Sequence, residues 1–179
     1  MDTYKLKWTG LEAELFSLLC RKAGERLSQR DMAKMLKASP TGVANAVKTL
    51  LNQKLVIIEK TKTINFVSLN RDEPKAIGLK RVENLKSIIL SQLVEYLETE
   101  LAGATVILFG SYARGEDTNT SDIDLAVIER KDKLLQFEKY EGMLNRKINV
   151  NFYSSWKDIH NHLRNNILNG IVLQGSVAL

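Results

Sequence analysis

The sequence predicts an α+β chain of two modules, and three observations carry that reading. Charge is split along the chain: residues 1–72 hold 13 Lys/Arg against 7 Asp/Glu, while residues 73–179 hold 13 against 14. Apolar periodicity is helical at first and turns β-rich at "LVIIEKTKTINFVSLN". Finally, "LFGSYARGEDTNTSDIDLAV" (108–127) sets a Gly-Ser turn between two apolar strands, the second bearing Asp122 and Asp124.

The bulk numbers agree with two small domains. The chain has 179 residues, is 44% hydrophobic, contains two prolines and carries a net charge of +5. That excess comes from the first module, so a basic unit suited to a polyanion is joined to one with other work. The single Cys20 sits in the apolar run "LFSLLC" and reads as a buried structural thiol. No apolar run reaches the ~20 residues of a membrane span, and "MDTYKLKW" does not read as a signal peptide. The expectation is a soluble, cytoplasmic protein with no membrane partner.

In the first module, Leu11, Leu15, Leu18 and Leu19 recur at helical spacing, and that helix ends near Gly24. "LSQRDMAKMLKA" follows, with Ser28 as cap, Asp31 three residues on, and Met32, Met35 and Leu36 as the buried face. Ser39 and Pro40 then open a third helix, as N-cap and first helical residue, with Val43, Val47, Leu50 and Leu51 turned inward. Only "KAS" separates the second and third helices, which forces a sharp crossing. Ile57, Ile58, Ile64, Phe66 and Val67 flank "EKTKT" and predict a hairpin with a lysine-bearing tip.

Three helices and a basic hairpin over residues 1–72 resemble a winged helix-turn-helix domain of prokaryotic transcription regulators. The resemblance implies double-stranded DNA as a partner, with the third helix in the major groove. Ser39, Thr41, Asn45 and Lys48 would face the bases, and Lys60 and Lys62 on the wing would touch phosphates. A homodimer is expected, since such regulators usually meet palindromic sites.

Pro74 marks a boundary near 71–75, so the second module is taken as 73–179. A long helical pattern runs from about Ile77 to Leu101 through Leu79, Val82, Leu85, Ile89, Leu93, Tyr96 and Leu97, making residues 73–102 a linker helix closed by Gly103. A buried strand follows at 104–109, then "GSYARG" as a short helix or turn. In "SDIDLAVIER", Ile123, Leu125 and Val127 point one way and Asp122, Asp124 and Ala126 the other. A helix at about 132–144 leads to a third strand, "RKINVNFYS", with Ile148, Val150 and Phe152 inward and Asn149 and Asn151 opposite. A last helix holds Trp156, Ile159, Leu163 and Ile167. His160 and His162, two apart on it, point to different sides, which is poor metal geometry.

Gly-Ser, ten intervening residues, then Asp-x-Asp: Ser111 and Asp122 have that spacing. With Arg114 three residues after Ser111 and a looser "I-x-x-G-x-x-L" from Ile167 to Leu173, the stretch 104–175 resembles the polymerase-β-like nucleotidyltransferases, above all the minimal, antitoxin-type members. The resemblance implies a short mixed sheet flanked by helices and a nucleoside triphosphate substrate, most often ATP, with Mg2+ or Mn2+ as cofactor. Gly110 would admit a phosphate close to the backbone, and Ser111 would offer its hydroxyl and N–H. Asp122 and Asp124, the catalytic pair, would share the metal. Arg114 can pair with a phosphate or brace the loop through a carboxylate.

One position departs from the family. Active members usually carry a third carboxylate on the third strand, and that place falls to Asn149, which can neither take a proton nor add negative charge. Glu138 or Glu141 could substitute, or the acceptor could need little activation. Three readings stand at this point. The first is a metal-dependent transferase moving a nucleoside monophosphate, AMP from ATP by preference, to a protein, RNA or small-molecule hydroxyl. The resemblance adds a HEPN-type toxin as a partner of such an enzyme. The second is a DNA-binding regulator that senses nucleotide without turnover, and the third a protein-binding adaptor.

Overall fold

The computed structural model describes residues 7–177, which fall into two units dividing between Lys80 and Arg81. The sequence boundary at 72/73 lies eight residues earlier, so the division falls inside a helix rather than before it.

Capping chemistry sets the helix starts of the first unit. Thr9 and Glu12 form a reciprocal capping box on α1 (Gly10–Arg21), with the Glu12 carboxylate accepting from the Thr9 N–H at 2.6 Å. Ser28 caps α2 (Gln29–Met35), accepting from the Asp31 N–H at 3.1 Å, and Ser39 caps α3 (Pro40–Asn52), accepting from the Gly42 N–H at 3.1 Å. Strands β1 (Leu27–Ser28), β2 (Val56–Lys60) and β3 (Asn65–Leu69) form an antiparallel sheet in the order β1-β3-β2. Leu15, Phe16, Leu19, Met32, Val43, Val47, Leu50, Leu55 and Val67 fill the core, and Cys20 is buried among them. Two apolar side chains depart from expectation: Met35 is 50% and Leu51 39% exposed. Met35 lies in the last turn of a helix only seven residues long, and Leu51 lies a hundred degrees around from the buried Leu50.

The long helix expected through 77–101 is two helices. Pro74 opens the first rather than interrupting it, since a first-turn residue needs no N–H partner: α4 spans Pro74–Leu90 and α5 spans Leu93–Glu100. At the break the Ser91 hydroxyl donates to the Ile88 carbonyl (2.7 Å), its oxygen accepts from the Leu93 N–H (3.3 Å), and Gln92 adopts a left-handed φ of 63°. A serine competing with the backbone in this way ends one helix and starts the next. The face is also rotated. Ala76, Lys80, Asn84 and Ile88 are buried at four-residue spacing, while Val82 (61%) and Ile89 (51%) are exposed.

The second unit is built on a mixed sheet in the order β6-β5-β4-β7. The strands are β4 (Thr105–Phe109), β5 (Ile123–Ile128), β6 (Ile148–Tyr153) and β7 (Ile171–Gln174). β4 pairs antiparallel with β5 and β7, while β5 and β6 run parallel. Strand alternation divides its side chains between two cores. Val106, Leu108, Ile123, Leu125 and Val127 meet Ile88, Leu93, Leu97 and Leu101 on one face. Ile107, Phe109, Ala126 and Ile128 meet Trp156, Ile159 and Ile167 on the other.

Three further expectations change. The helix at 132–144 shortens to α7 (Glu138–Leu144), because 131–137 forms neither helix nor strand and is tied instead by Lys133 on Glu100 (2.7 Å) and by the Gln136 N–H on the Tyr96 hydroxyl (2.8 Å). The last helix becomes a 3-10 turn (Trp156–Asp158) and α8 (Asn161–Leu168). His160 precedes α8 as its N-cap instead of lying on it. The His160 and His162 rings therefore stack, centroids 6.0 Å apart, rather than pointing to different sides.

Candidate active site

The Gly-Ser turn and the acidic strand meet at one end of the sheet. β4 ends at Phe109, whose register partner on β5 is Asp124, and Asp124 is in turn opposite Asn149 on β6. Gly110 and Ser111 begin the five-residue α6 (Gly110–Arg114), closed by Gly115 in the left-handed region. The Asp124 carboxylate lies against Gly110. A Cβ there would stand 2.5 Å from Asp124 Oδ2, and the φ of +77° is itself one that L side chains rarely adopt. Gly110 is thus required by close approach to the acid as much as by its backbone angle.

Asp122 is exposed just ahead of β5, and Asp124 is half-buried. The Asn149 amide donates to Asp122 Oδ2 at 3.0 Å. Burial pushes the Asp124 carboxyl above its ordinary value and the Asp122 charge adds to that, while a hydrogen bond from Asn149 acts in the opposite direction. Asn149 therefore bonds Asp122 and lies opposite Asp124 in register, in the place where the family resemblance expects a third acid. The two carboxylates are hard oxygen donors, and the charge pressure on Asp124 is one that a cation would relieve, so the pair fits a divalent metal. Among the described residues, no group of three or more His, Cys, Asp or Glu is assembled to hold a metal ion.

Arg114 braces the loop: its Nε donates to Glu116 Oε2 (2.7 Å) and its Nη1 to Asn166 Oδ1 on α8 (2.9 Å). Glu141, one of the two substitute bases, is committed elsewhere. Its carboxylate accepts from the Ile148 N–H (3.0 Å) and from Lys147 Nζ (2.9 Å), and these bonds hold it below the usual carboxylate range. A low-pKa, doubly bonded carboxylate is a poor proton acceptor. Glu138 lines an open cleft of about 510 Å³ together with Glu141, Asn145, Arg146 and Lys147.

Beneath the loop lies a polar group that sequence reasoning missed. Asp117, Arg146 and Asn84 are buried at 1%, 8% and 6% exposure. Asn84 Nδ2 donates both to the Tyr112 carbonyl (2.9 Å) and to Asp117 Oδ1 (2.7 Å), and Arg146 Nη2 lies 3.9 Å from Asp117 Oδ2. Burial first, then the Asp117 charge, pushes the Tyr112 phenol well above its ordinary value, with Arg146 opposing. "GEDTNT" reads locally as a solvated loop, so nothing in its pattern marks Asp117 as interior.

In the first unit, Ser39, Thr41, Asn45, Lys48, Lys60 and Lys62 are all exposed, and 41, 45 and 48 share one face of α3. The Ser39 oxygen is engaged by the cap at Gly42.

The class follows from the second unit. A family model described as nucleotidyltransferase domain matches residues 90–177, which hold the Gly-Ser turn and both acids. A candidate protein adenylyltransferase of Methanocaldococcus jannaschii is 36% identical over 77 residues, 40% of this chain and 88% of that protein. The chain belongs to the nucleotidyltransferase family. Two solved structures of mutant Lactococcus lactis ZitR are also similar. One has a TM-score of 0.41 at 21% identity, over 54% of this chain and 64% of that one, so the chain spans less than two thirds of its length. The other has a TM-score of 0.42 at 19% identity, over 57% and 68%. Among the described residues no helix is long and apolar enough to cross a membrane.

Proposed function

We propose that the second unit transfers AMP from ATP to a hydroxyl of a protein, using Asp122 and Asp124 to hold Mg2+ or Mn2+. The observation that carries this is the Asp124 carboxylate seated against Gly110, beside Ser111 and in register with Asn149. The name of the archaeal relative supports a protein acceptor and an adenylyl group. When bound, the metal neutralises charge on the triphosphate and aligns it for in-line attack. Gly110 lets a phosphate reach the backbone, and Ser111 offers a hydroxyl at the helix start. The acceptor oxygen forms a bond to the α-phosphorus, the α–β bridge breaks, and pyrophosphate leaves. The hydroxyl proton passes to water, because the Asn149 amide has no basic lone pair and Asp122 and Asp124 are committed to the metal. Arg114 orients the loop through Glu116 and Asn166.

The first unit is proposed as a winged helix-turn-helix module for double-stranded DNA. Its order of three helices and a β2–β3 hairpin, with α3 presenting Thr41, Asn45 and Lys48, supports this reading. Lys60 and Lys62 would meet phosphates, and a homodimer would match a palindromic site. The resemblance to antitoxin-type nucleotidyltransferases makes a cytoplasmic HEPN-type toxin the proposed acceptor. Asn149 favours a second reading, in which the site senses ATP without turnover while the first unit regulates transcription.

Calorimetric titration of Mg–ATP into the wild type and into Asp122→Asn/Asp124→Asn tests the site. Magnesium-dependent binding lost in the variant is expected. Equal binding by both proteins, or none by either across the four common triphosphates, overturns the proposal. Incubation with α-labelled ATP and an acceptor protein then separates the two readings: label transferred with pyrophosphate release marks an enzyme, and binding without label marks a sensor.

A further inference from the structure

We propose that Asn84, Asp117 and Arg146 are positioning residues, a buried clamp that sets the path of the loop carrying the nucleotide-binding side chains. The inference rests on reading Gly110, Ser111, Asp122 and Asp124 as the nucleotide site.

The loop from Gly115 to Ser121 has neither helix nor strand, yet it spans the distance between Ser111 and Asp122. A segment without its own backbone ladder takes its path from side-chain anchors. Asp117 is such an anchor, midway along and buried to 1% exposure. Burying a carboxylate is costly unless it is hydrogen-bonded and paired, and well-packed apolar replacements of buried ion pairs are often no less stable. The polar choice is explained by what it joins. Asn84 is a residue of α4 whose amide spends one hydrogen on the Tyr112 carbonyl, in the helix that begins with Gly110 and Ser111. Its other hydrogen goes to Asp117, in the loop leading to Asp122. Arg146 approaches the far oxygen of Asp117 and immediately precedes Lys147, whose carbonyl accepts from the Ile123 N–H at 2.8 Å. Three residues past Arg146 is Asn149, which bonds Asp122.

The clamp therefore touches the three segments that present Ser111, Asp122 and Asn149. Its members lie on three separate stretches, α4, the loop and the turn before β6, and Asn84 ties them to the backbone of α6. Loss of one contact loosens the loop at Asp117, which the Arg114–Glu116 bond does not reach, without removing a group that binds phosphate or metal. Partners standing one layer behind metal and phosphate ligands typically change affinity by about 10–100-fold when removed.

The test uses the full chain. Asp117→Asn/Arg146→Gln neutralises the charge pair together, so neither charge is left buried alone. Asn84→Ala removes both amide bonds and leaves the pair intact. Each variant is compared with wild type by thermal melting, by Mg–ATP calorimetry and by amide hydrogen exchange resolved over residues 108–128. The clamp predicts folded proteins in which exchange accelerates through 111–121 but not in β4 or β5, with Mg–ATP affinity reduced about tenfold or more. Wild-type exchange across 111–121 in folded Asn84→Ala overturns the clamp, as does wild-type affinity with the loop loosened. If Asp117→Asn/Arg146→Gln fails to fold, Asn84→Ala decides alone. Failure of the wild type to bind any triphosphate refutes the nucleotide-site reading, and the exchange pattern still decides whether the three residues hold the loop.

Discussion

Replacing Gly110 with alanine isolates the geometry on which the site depends. The added Cβ would stand 2.5 Å from Asp124 Oδ2, whereas ordinary van der Waals contact begins near 3.4 Å, so the carboxylate must retreat by about 0.9 Å. The backbone adds a second cost, since φ is +77° and a non-glycine residue held in the left-handed region loses about 1–2 kcal/mol. Two separable effects are expected. Stability of the second unit falls by about 1–3 kcal/mol, read by denaturant melting. Magnesium-dependent ATP affinity or turnover falls by about 100-fold, because a displacement near 1 Å at a reacting centre commonly costs that much. Gly110→Ala with wild-type affinity would refute the claim that Asp124 must sit against the glycine. Loss of stability alone would refute it equally, since the strain would then act on the fold and not on the acid.

Other outcomes follow from single contacts. Ser39→Ala removes the acceptor for the Gly42 N–H and should destabilise the first unit by about 1 kcal/mol, measured by urea melting, while Ser39→Asp retains the cap. The Glu12 carboxyl is held below its ordinary 4.5 by hydrogen bonds from Thr49 and then Thr9. Its folded pKa lies under its unfolded one, so its contribution is complete above pH 4.5 and disappears as pH falls through the folded value. Glu12→Gln should lower stability at pH 7 and flatten the acid limb of a melting series as pH falls below 4.5. If the first unit binds DNA through its wing, Lys60→Ala and Lys62→Ala should each reduce the slope of log affinity against log salt by about 1, uniformly across sequences.

The relation between chain order and space explains which of these features were legible early. Ser28, Ser39 and Pro40 act within four residues of themselves, so capping chemistry read along the chain matches the helices that form. Gly110, Ser111, Asp122 and Asp124 sit at the ends of two adjacent strands joined by one loop, and their spacing alone brings them to a common edge. The α4–α5 break was hidden because Ser91 interrupts an apolar pattern that continues on both sides. The rotated face of α4 was hidden because its buried positions include Lys80 and Asn84, polar residues that periodicity assigns to solvent. Strand β7 follows a helix and a turn, and it counts as a strand only because β4 offers it an open edge.

By itself, then, the sequence determined the two-module α+β plan, the helix caps and the Gly-Ser/Asp-x-Asp constellation, because each depends on neighbours within a few residues or across one turn. Only the tertiary structure decided that Asn149 lies within a hydrogen bond of Asp122, that Glu141 is bonded to Ile148 and Lys147, and that Asp117 faces inward toward Asn84 and Arg146. Those facts belong to strand register and to the packing of a helix from thirty residues upstream. The partner of a buried polar group is set by whichever chain segment the topology brings beside it, and no local pattern encodes that choice.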